Sequence, residues 1–112
     1  MKYPFKDLIP DRFRLAGMEY SVNQVNEQRG GTLYGAINHP MCRIDLFAKI
    51  GENNVSFQQH VQTFWHEVVH GILTNMGESE LNDNEKFVCT FSSMLNEVMQ
   101  SAIIEWPIED GK

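Results

Sequence analysis

The chain has 112 residues, of which 42% are hydrophobic and 21% are charged, and its formal net charge is −6. A chain of this length makes one domain, so residues 1–112 are treated as a single domain. The composition excludes a disordered or collagen-like chain, and its 2 cysteines are too few for a disulfide-stapled secreted scaffold. The acidic balance argues against a nonspecific nucleic-acid binder. No apolar run approaches the ~20 residues of a membrane span, and no signal peptide is evident. The expected location is therefore the cytoplasm.

The first half of the chain predicts β-structure preceded by an irregular arm at residues 1–11. Alternating apolar and polar residues predict strands, with a turn or bulge near Ala16 in the first of them. Arg29-Gly30-Gly31-Thr32 is typical of a hairpin turn. The predicted strands are, in chain order, residues 12–28, 33–37 and 42–50.

The second half predicts two long helices. Apolar residues recur at intervals of three and four over residues 57–76, with Ser56 as N-cap and Gly77 as C-cap. After a polar connector, a second helix is predicted from about residue 83 to 105, because Pro107 cannot continue it. Strands followed by helices indicate an α+β fold: a small antiparallel sheet of three or four strands, covered on one face by the two helices.

One motif in the first helix carries chemistry: His66-Glu67-Val68-Val69-His70. Residues four apart lie on one helix face, about 6 Å apart along the axis, so both imidazoles can reach one tetrahedral Zn²⁺. Glu67, turned about 100° away, can accept the proton of a metal-bound water. The competing interpretation is two surface histidines paired with Glu67 or with solvent. Their position beside an apolar stripe favours the metal.

A catalytic zinc site needs a third protein ligand. The candidates are the carboxylates that follow the motif: Glu78, Glu80, Asp83, Glu85 and Glu97. Glu85 is favoured because it shares a helix face with Val88, Leu95 and Met99, the face expected to pack on the first helix. The alternative is that Asn82 is the N-cap and Glu85 the third residue of a capping box, a position that also suits the helix dipole.

The run TFWHEVVHGILTNMGESELNDNEKFVCTFSSML (residues 63–96) resembles small zinc metallopeptidases of the gluzincin type, especially phage-encoded and mobile-element-encoded domains. Within these it is similar to the immunity-repressor-cleaving proteases (the ImmA/IrrE group) and to minimal single-domain gluzincins. The resemblance implies a zincin-like fold with His66, His70 and Glu85 as zinc ligands and Glu67 as general base. It also implies an edge strand that holds an extended peptide substrate, for which residues 42–48 are the candidate.

Two departures from that family bear on activity. Thermolysin-like gluzincins carry a carboxylate four residues after the ligand glutamate, where this chain has Cys89, so metal affinity or rate is expected to be reduced. The downstream His or Tyr that steadies the oxyanion in larger gluzincins is also missing. Tyr34 or His39 from the sheet could substitute, but the favoured interpretation of both is a structural or exposed side chain.

The expected function is therefore a zinc-dependent peptidase acting on a protein or peptide substrate, such as a repressor, with a partner or adaptor supplying selectivity. The alternative is a zinc-binding regulatory or interaction module without peptidase activity, and a third possibility is a helix pair that binds no metal. Neither nucleic acid nor membrane is expected as a partner. Cys42 and Cys89 are expected to be buried free thiols, and His60 a solvated side chain.

Overall fold

The computed structural model describes residues 3–4, 9–26 and 33–104. In chain order, its elements are β1 (Tyr3–Pro4), β2 (Arg12–Leu15), β3 (Met18–Val25), β4 (Gly35–Asn38), β5 (Arg43–Phe47), β6 (Lys49–Ile50), β7 (Asn53–Asn54), α1 (Phe57–Met76), α2 (Ser79–Asp83), α3 (Glu85–Ser101) and β8 (Ile103–Ile104). The α+β class predicted from the sequence is confirmed.

The main sheet has four strands in the order β2-β3-β5-β4. It is mixed rather than antiparallel, because β3 and β5 run parallel while the β2–β3 and β4–β5 pairs are antiparallel. The predicted hairpin turn at residues 29–32 lies outside the described residues. The strands on either side of it, β3 and β4, do not pair, since β5 lies between them. In this central strand, Ile44 and Leu46 are buried on the face that packs on α1.

A tight turn at Ala16 and Gly17 joins β2 to β3, as the sequence predicts. Both residues have positive φ, 51° and 80°, and the pair Leu15–Met18 closes the two-stranded ladder directly around them. Two positive φ angles in a two-residue loop match the right-handed twist of the flanking strands. The strand predicted over 12–28 is therefore two strands folded back on each other.

Helix α1 has the bounds that the sequence predicts. The Ser56 side chain accepts a hydrogen bond from Gln59 N, and Gly77 ends the helix in the left-handed conformation at φ 74°. One face of α1 buries Phe64 and Val68 against Ile44 and Leu46 of the sheet. The main core of the protein lies between these two surfaces.

Two glycines allow the sheet to approach α1 closely. A Cβ at Gly35 in β4 would lie 2.6 Å from Thr63 Cγ2 and 2.8 Å from the Asp45 carbonyl oxygen. A Cβ at Gly71 in α1 would lie 3.0 Å from Leu15 Cδ2 and 3.1 Å from Ile37 Cδ1. Real Cβ contacts are essentially never under 3.0 Å, so β4 keeps its place beside α1 only with glycine at position 35.

The second long helix packs chiefly on the first, so the layers run sheet, α1, α3, and the prediction that both helices cover the sheet is corrected. Val69 and Leu73 of α1 bury Val88 of α3 in a second apolar cluster. Toward the C-terminal end of α3, the contact between α1 and α3 is polar. There the Nδ2 atom of the buried Asn96 donates to Gln62 Oε1 at 2.8 Å. α1 is therefore buried on two sides, which places its motif between the sheet and α3.

The bounds of the last helix and of the N-terminal arm differ from the prediction. α3 begins at Glu85 and ends at Ser101, and the predicted connector contains the short helix α2. Ala102 is extended, and β8 then pairs antiparallel with β1. The arm predicted as irregular thus contains a strand, because two chain segments distant in sequence supply each other's backbone hydrogen bonds.

Of the helices in the described part of the chain, not one combines the length and the hydropathy that crossing a bilayer requires.

Candidate metal centre

Helix α1 brings the two histidines of the motif onto one face. The imidazole rings of His66 and His70 have centroids 4.9 Å apart with an interplanar angle of 70°. Both side chains are partly buried, with 22% and 19% of their surface exposed. The interpretation as two solvated surface histidines is therefore disfavoured, because both rings turn toward the start of α3.

Glu85, the first residue of α3, meets both rings. Its Oε2 lies 3.6 Å from His66 Nε2, and its Oε1 lies 3.3 Å from His70 Nε2. Within the described residues, His66, His70 and Glu85 form a group whose ligand atoms all lie within 4.8 Å of one another and could hold a metal ion. Ligands at 2.0–2.1 Å from a tetrahedral Zn²⁺ stand about 3.3–3.4 Å apart. The three side chains thus have both the atoms and the spacing for such an ion.

The capping role proposed as the alternative for Glu85 is wrong. The N-cap of α3 is Asn84, whose Oδ1 accepts a hydrogen bond from Phe87 N at 3.0 Å. Glu85 is therefore the first residue of the helix, and 65% of its side chain is exposed on the side of the histidines. Since Asn84 satisfies the helix end, the carboxylate of Glu85 is available to a metal.

The other carboxylates considered as third ligands lie elsewhere. All are exposed, and none joins the His66–His70–Glu85 group in the described part of the chain: Glu78, Glu80, Asp83 and Glu97. The start of α3 faces the motif because the apolar contact of Val88 with α1 sets the helix rotation. Of these carboxylates, Glu85 is therefore the one that faces the two histidines.

Each of the two histidines has a further polar neighbour near its Nδ1 atom. His70 Nδ1 lies 2.6 Å from Asn82 Oδ1, a side chain of α2. His66 Nδ1 lies 3.9 Å from the Sγ atom of Cys89, which is also 4.0 Å from Glu85 Oε2. Cys89, at the position where the resemblance predicts a carboxylate, thus places a thiol beside His66.

Glu67 lies on the buried side of the motif, with only 8% of its surface exposed. Burial raises the pKa of Glu67 above its ordinary value, and the charge of Glu85 raises it further. His70 and a hydrogen bond from the backbone N–H of Ile37 act in the opposite direction on that pKa. A buried carboxyl group with a raised pKa, beside a group that could hold a metal, is a candidate for proton transfer.

The pKa of His66 is lowered, chiefly because burial disfavours the charged imidazolium. The neighbouring His70 adds to this effect, and Glu85 opposes it. A lowered pKa keeps the ring neutral, which is the form that coordinates a metal. The environment of His66 therefore favours the neutral ring.

A cavity of about 340 Å³ opens beside the motif. Its lining is formed by Leu33, Tyr34, Gly35, Gln59, Gln62, Thr63, His66, Glu67, Cys89 and Ser93. Tyr34, one of the two candidate substitutes for an oxyanion donor, is thus in the cavity and 44% exposed. His39, the other candidate, instead contacts Thr74 Oγ1 through Nε2 at 3.2 Å and does not line the cavity.

The prediction that residues 42–48 form an edge strand able to hold a peptide is wrong. β5, which covers most of residues 42–48, has β3 on one side and β4 on the other, so its backbone is not available to a ligand. β4 is the edge strand, and it packs on α1. Phe47 N donates to Tyr34 O at 2.9 Å, and because backbone groups alternate along a strand, those of Gly35 and Ile37 face away from β5. The N–H of Ile37 points instead at Glu67.

Two further predictions about side chains are corrected. His60 is not solvated: it is 5% exposed, and burial lowers its pKa. Cys89 is exposed and Cys42 is half-buried, so the prediction of two buried thiols is wrong. His60 is buried because it lies on the side of α1 that faces the sheet, where its Nε2 atom is 3.3 Å from Gln24 Nε2.

Sequence reasoning missed two residues of the site. Asn82 contacts His70 from a helix of five residues, α2, inside a polar stretch that gives no sequence signal of a helix. Ile37 contributes through its backbone N–H, which leaves no trace in residue type. Only the packing of α2 and β4 on α1 identifies them.

Comparisons of the chain with models of protein families, with curated proteins and with solved structures found no match.

Proposed function

We propose that the protein is a zinc-dependent peptidase that hydrolyses a peptide bond, with His66, His70 and Glu85 as zinc ligands and Glu67 as general base. The observation that carries the proposal is the position of the Glu85 carboxylate, 3.6 Å and 3.3 Å from the two Nε2 atoms. Hydrogen-bonded N–H···O pairs usually lie at 2.7–3.2 Å. The observed separations are longer than that. They are close to the ligand–ligand distance of about 3.3–3.4 Å around a tetrahedral Zn²⁺.

The donor set favours zinc over the other common biological metals. Two imidazoles with one carboxylate are the ligands of many catalytic zinc sites, which leave a fourth position open to water. Mg²⁺ and Ca²⁺ take oxygen ligands in larger numbers. Bound Zn²⁺ supplies a water with a pKa lowered towards about 7.

Glu67 performs the proton transfers in the proposed reaction. Its carboxylate accepts the proton of the attacking water and donates it to the leaving amine. The buried position and raised pKa of Glu67 support this role, since the group must hold the proton between the two steps. A site that only bound a structural zinc would have no use for a buried carboxylate next to the first ligand.

The edge strand β4 is the proposed binding place of the substrate backbone. Gly35, whose backbone groups face away from β5, lines the cavity that contains His66 and Glu67. An extended peptide that adds to this edge gains main-chain hydrogen bonds, while side-chain selection is left to pockets. Tyr34, at the start of β4, is the candidate donor to the oxyanion.

The wider biological setting rests on the resemblance to mobile-element gluzincins. It suggests a cytoplasmic protein whose substrate is a protein such as a repressor, with selectivity supplied by an adaptor. A cavity of about 340 Å³ is small for recognising a long peptide by side chains alone. That size supports a role for additional contacts outside the site.

The second candidate function is a zinc-binding regulatory or interaction module without peptidase activity. Cys89 favours it, because a thiol at 3.9 Å from His66 Nδ1 is a weaker partner than the carboxylate of active gluzincins. The two functions share the metal centre and differ in the role of Glu67.

Two measurements test the proposal. The zinc content of the purified wild-type protein is compared with that of Glu85→Ala, using Glu97→Ala on the same helix as the matched control. We expect one zinc per chain in the wild type and the control, and loss of zinc in Glu85→Ala. Retention of zinc by Glu85→Ala would remove Glu85 as a ligand.

Cleavage of casein or of a peptide library by the wild type is then compared with cleavage by Glu67→Gln. The peptidase mechanism predicts that Glu67→Gln keeps its zinc and loses activity by at least about 100-fold, the usual contribution of a general base. Equal cleavage by both proteins would show the mechanism to be wrong. Zinc binding with no cleavage by the wild type would favour the regulatory module.

A further inference from the structure

We propose that Asn82 is a positioning residue for the metal centre: it holds His70 in the tautomer that leaves Nε2 free to bind a metal, and it does so as part of a hydrogen-bonded chain that ends at His39. The inference rests on the metal centre of the proposed function. It adds three residues outside that centre: Asn82, Thr74 and His39.

The first link is the shortest side-chain contact of the site. His70 Nδ1 and Asn82 Oδ1 are 2.6 Å apart. A neutral imidazole has one N–H and one bare nitrogen, and the amide oxygen only accepts, so Nδ1 carries the proton. His70 Nε2, which faces Glu85 Oε1 at 3.3 Å, is then the nitrogen with the free lone pair.

The second link sets the orientation of the Asn82 amide. Asn82 Nδ2 donates to Thr74 Oγ1 at 2.9 Å. If the amide were reversed, its NH₂ group would face His70 Nδ1, and the proton of His70 would move to Nε2, where a metal must bind. Thr74, one turn along α1 from His70, therefore fixes which side of Asn82 the histidine meets.

The third link reaches the end of the edge strand. Thr74 Oγ1 lies 3.2 Å from His39 Nε2. Because Thr74 Oγ1 accepts from Asn82, its own hydrogen is available to donate to His39 Nε2. When Thr74 donates in this way, His39 carries its proton on Nδ1, a buried atom without a hydrogen-bond partner in the described part of the chain. The three hydrogen bonds run in one direction, from His70 to His39, which directly follows β4.

The first experiment measures Zn²⁺ affinity by competition with a chromophoric chelator. Asn82→Leu keeps the approximate size of the side chain and removes the acceptor, so we expect affinity to fall by about 10- to 100-fold, the usual effect of losing the partner of a ligating histidine. Asn82→Asp restores an acceptor for both His70 and Thr74, and we expect affinity within a few-fold of the wild type. Asn75→Leu, at an exposed asparagine of α1, is the matched control and should leave affinity unchanged.

The second readout is the tautomer of His39 in the zinc-loaded protein, from the ¹⁵N chemical shifts of its ring. His39 is not a ligand, so zinc does not fix its tautomer directly. The directed chain predicts the Nδ1–H tautomer in the wild type and loss of that preference in Asn82→Leu. If Asn82 had only a structural role, its replacement would not change the ¹⁵N shifts of the His39 ring.

Equal Zn²⁺ affinity of the wild type and Asn82→Leu, or an Nε2–H tautomer of His39 in the wild type, would overturn the inference and leave the peptidase proposal intact. A wild type that binds zinc without cleaving peptides would contradict the proposed reaction and leave the inference intact. A wild type that binds no zinc would overturn both.

Discussion

The backbone N–H of Ile37 donates a hydrogen bond to the carboxylate of Glu67, so the edge strand and the predicted general base are held together as one unit. Ile37 lies in β4, and Glu67 lies on the face of α1 that β4 covers. The contact orients the carboxylate and partly offsets the cost of burying its charge. A peptide added to β4 would therefore lie beside Glu67, the proposed general base.

The substitution Glu67→Gln is expected to stabilise the metal-free protein at neutral pH. The amide oxygen of glutamine can still accept the Ile37 hydrogen bond, while the cost of a buried charge, which raises the pKa of Glu67, disappears. We expect the melting temperature to rise by several degrees, since about 1 kcal/mol shifts it by roughly 4–8 °C in a small domain. Calorimetry of both proteins with a chelator present measures this. A lower melting temperature for Glu67→Gln would show that the carboxylate stabilises the fold.

The substitution Gly35→Ala is expected to destabilise the protein by about 1–3 kcal/mol, the usual cost of overpacking. The new Cβ would lie 2.8 Å from the Asp45 carbonyl oxygen, and that backbone cannot yield without disturbing the β4–β5 pair. Gly71→Ala is the matched control, because its closest neighbours are side-chain ends at 3.0 Å and 3.1 Å, and alanine favours a helix interior by about 1 kcal/mol. Urea unfolding of both variants tests the contrast. Similar losses in the two would contradict it.

The stability of the protein is expected to fall below about pH 6.5 in part because of His60. Burial lowers the pKa of His60 in the folded state, so below the ordinary value of 6.5 the unfolded chain binds a proton that the folded chain does not. Stability from this residue is complete above that pH and is lost as the pH falls towards the folded-state pKa. The unfolding free energy should therefore drop more between about pH 7.5 and about pH 5.5 in the wild type than in His60→Leu.

His60→Leu is a fair comparison because His60 Nδ1 is buried without a partner in the described part of the chain, and its Nε2 contacts only the exposed Gln24 at 3.3 Å. When the His60 ring is removed, the side chain of Gln24 can rotate and hydrogen-bond with water. The other histidines remain in both proteins and cancel in the comparison. Parallel pH profiles for the two proteins would exclude His60 as a source of the pH dependence.

The substitution Cys89→Asp is expected to tighten zinc binding by about 10-fold. An aspartate at this position places a carboxylate where Sγ now lies 3.9 Å from His66 Nδ1, and such a partner orients a ligating imidazole and raises its basicity. Cys89→Ser is the matched control, with a hydroxyl of similar size and no charge. Chelator competition compares the three proteins. Weaker binding in Cys89→Asp would mean that repulsion from Glu85, one turn away, outweighs the gain at His66.

The sequence determined the features that depend on neighbours along the chain. The bounds of α1 follow from Ser56, Gly77 and an apolar stripe between them, all within a turn of the residues they act on. The side-by-side placement of His66 and His70 follows from helix geometry alone. These signals are local, so no knowledge of packing is needed to interpret them.

Tertiary structure decided everything that joins distant segments. Strand alternation in residues 42–48 shows which side chains are buried, but it does not show which strands lie alongside, so the central place of β5 and the edge position of β4 were not predictable. The polar connector shows no period, so α2 and the contact of Asn82 with His70 were also missed. The packing of Val88 on α1 determined that Glu85, and not another carboxylate, faces the histidines. The sequence thus contains His66, Glu67 and His70 as a local pattern. The position of Glu85 beside the histidines, and of β4 beside Glu67, is set by burial of apolar surface between elements, an energy shared by residues far apart in the chain.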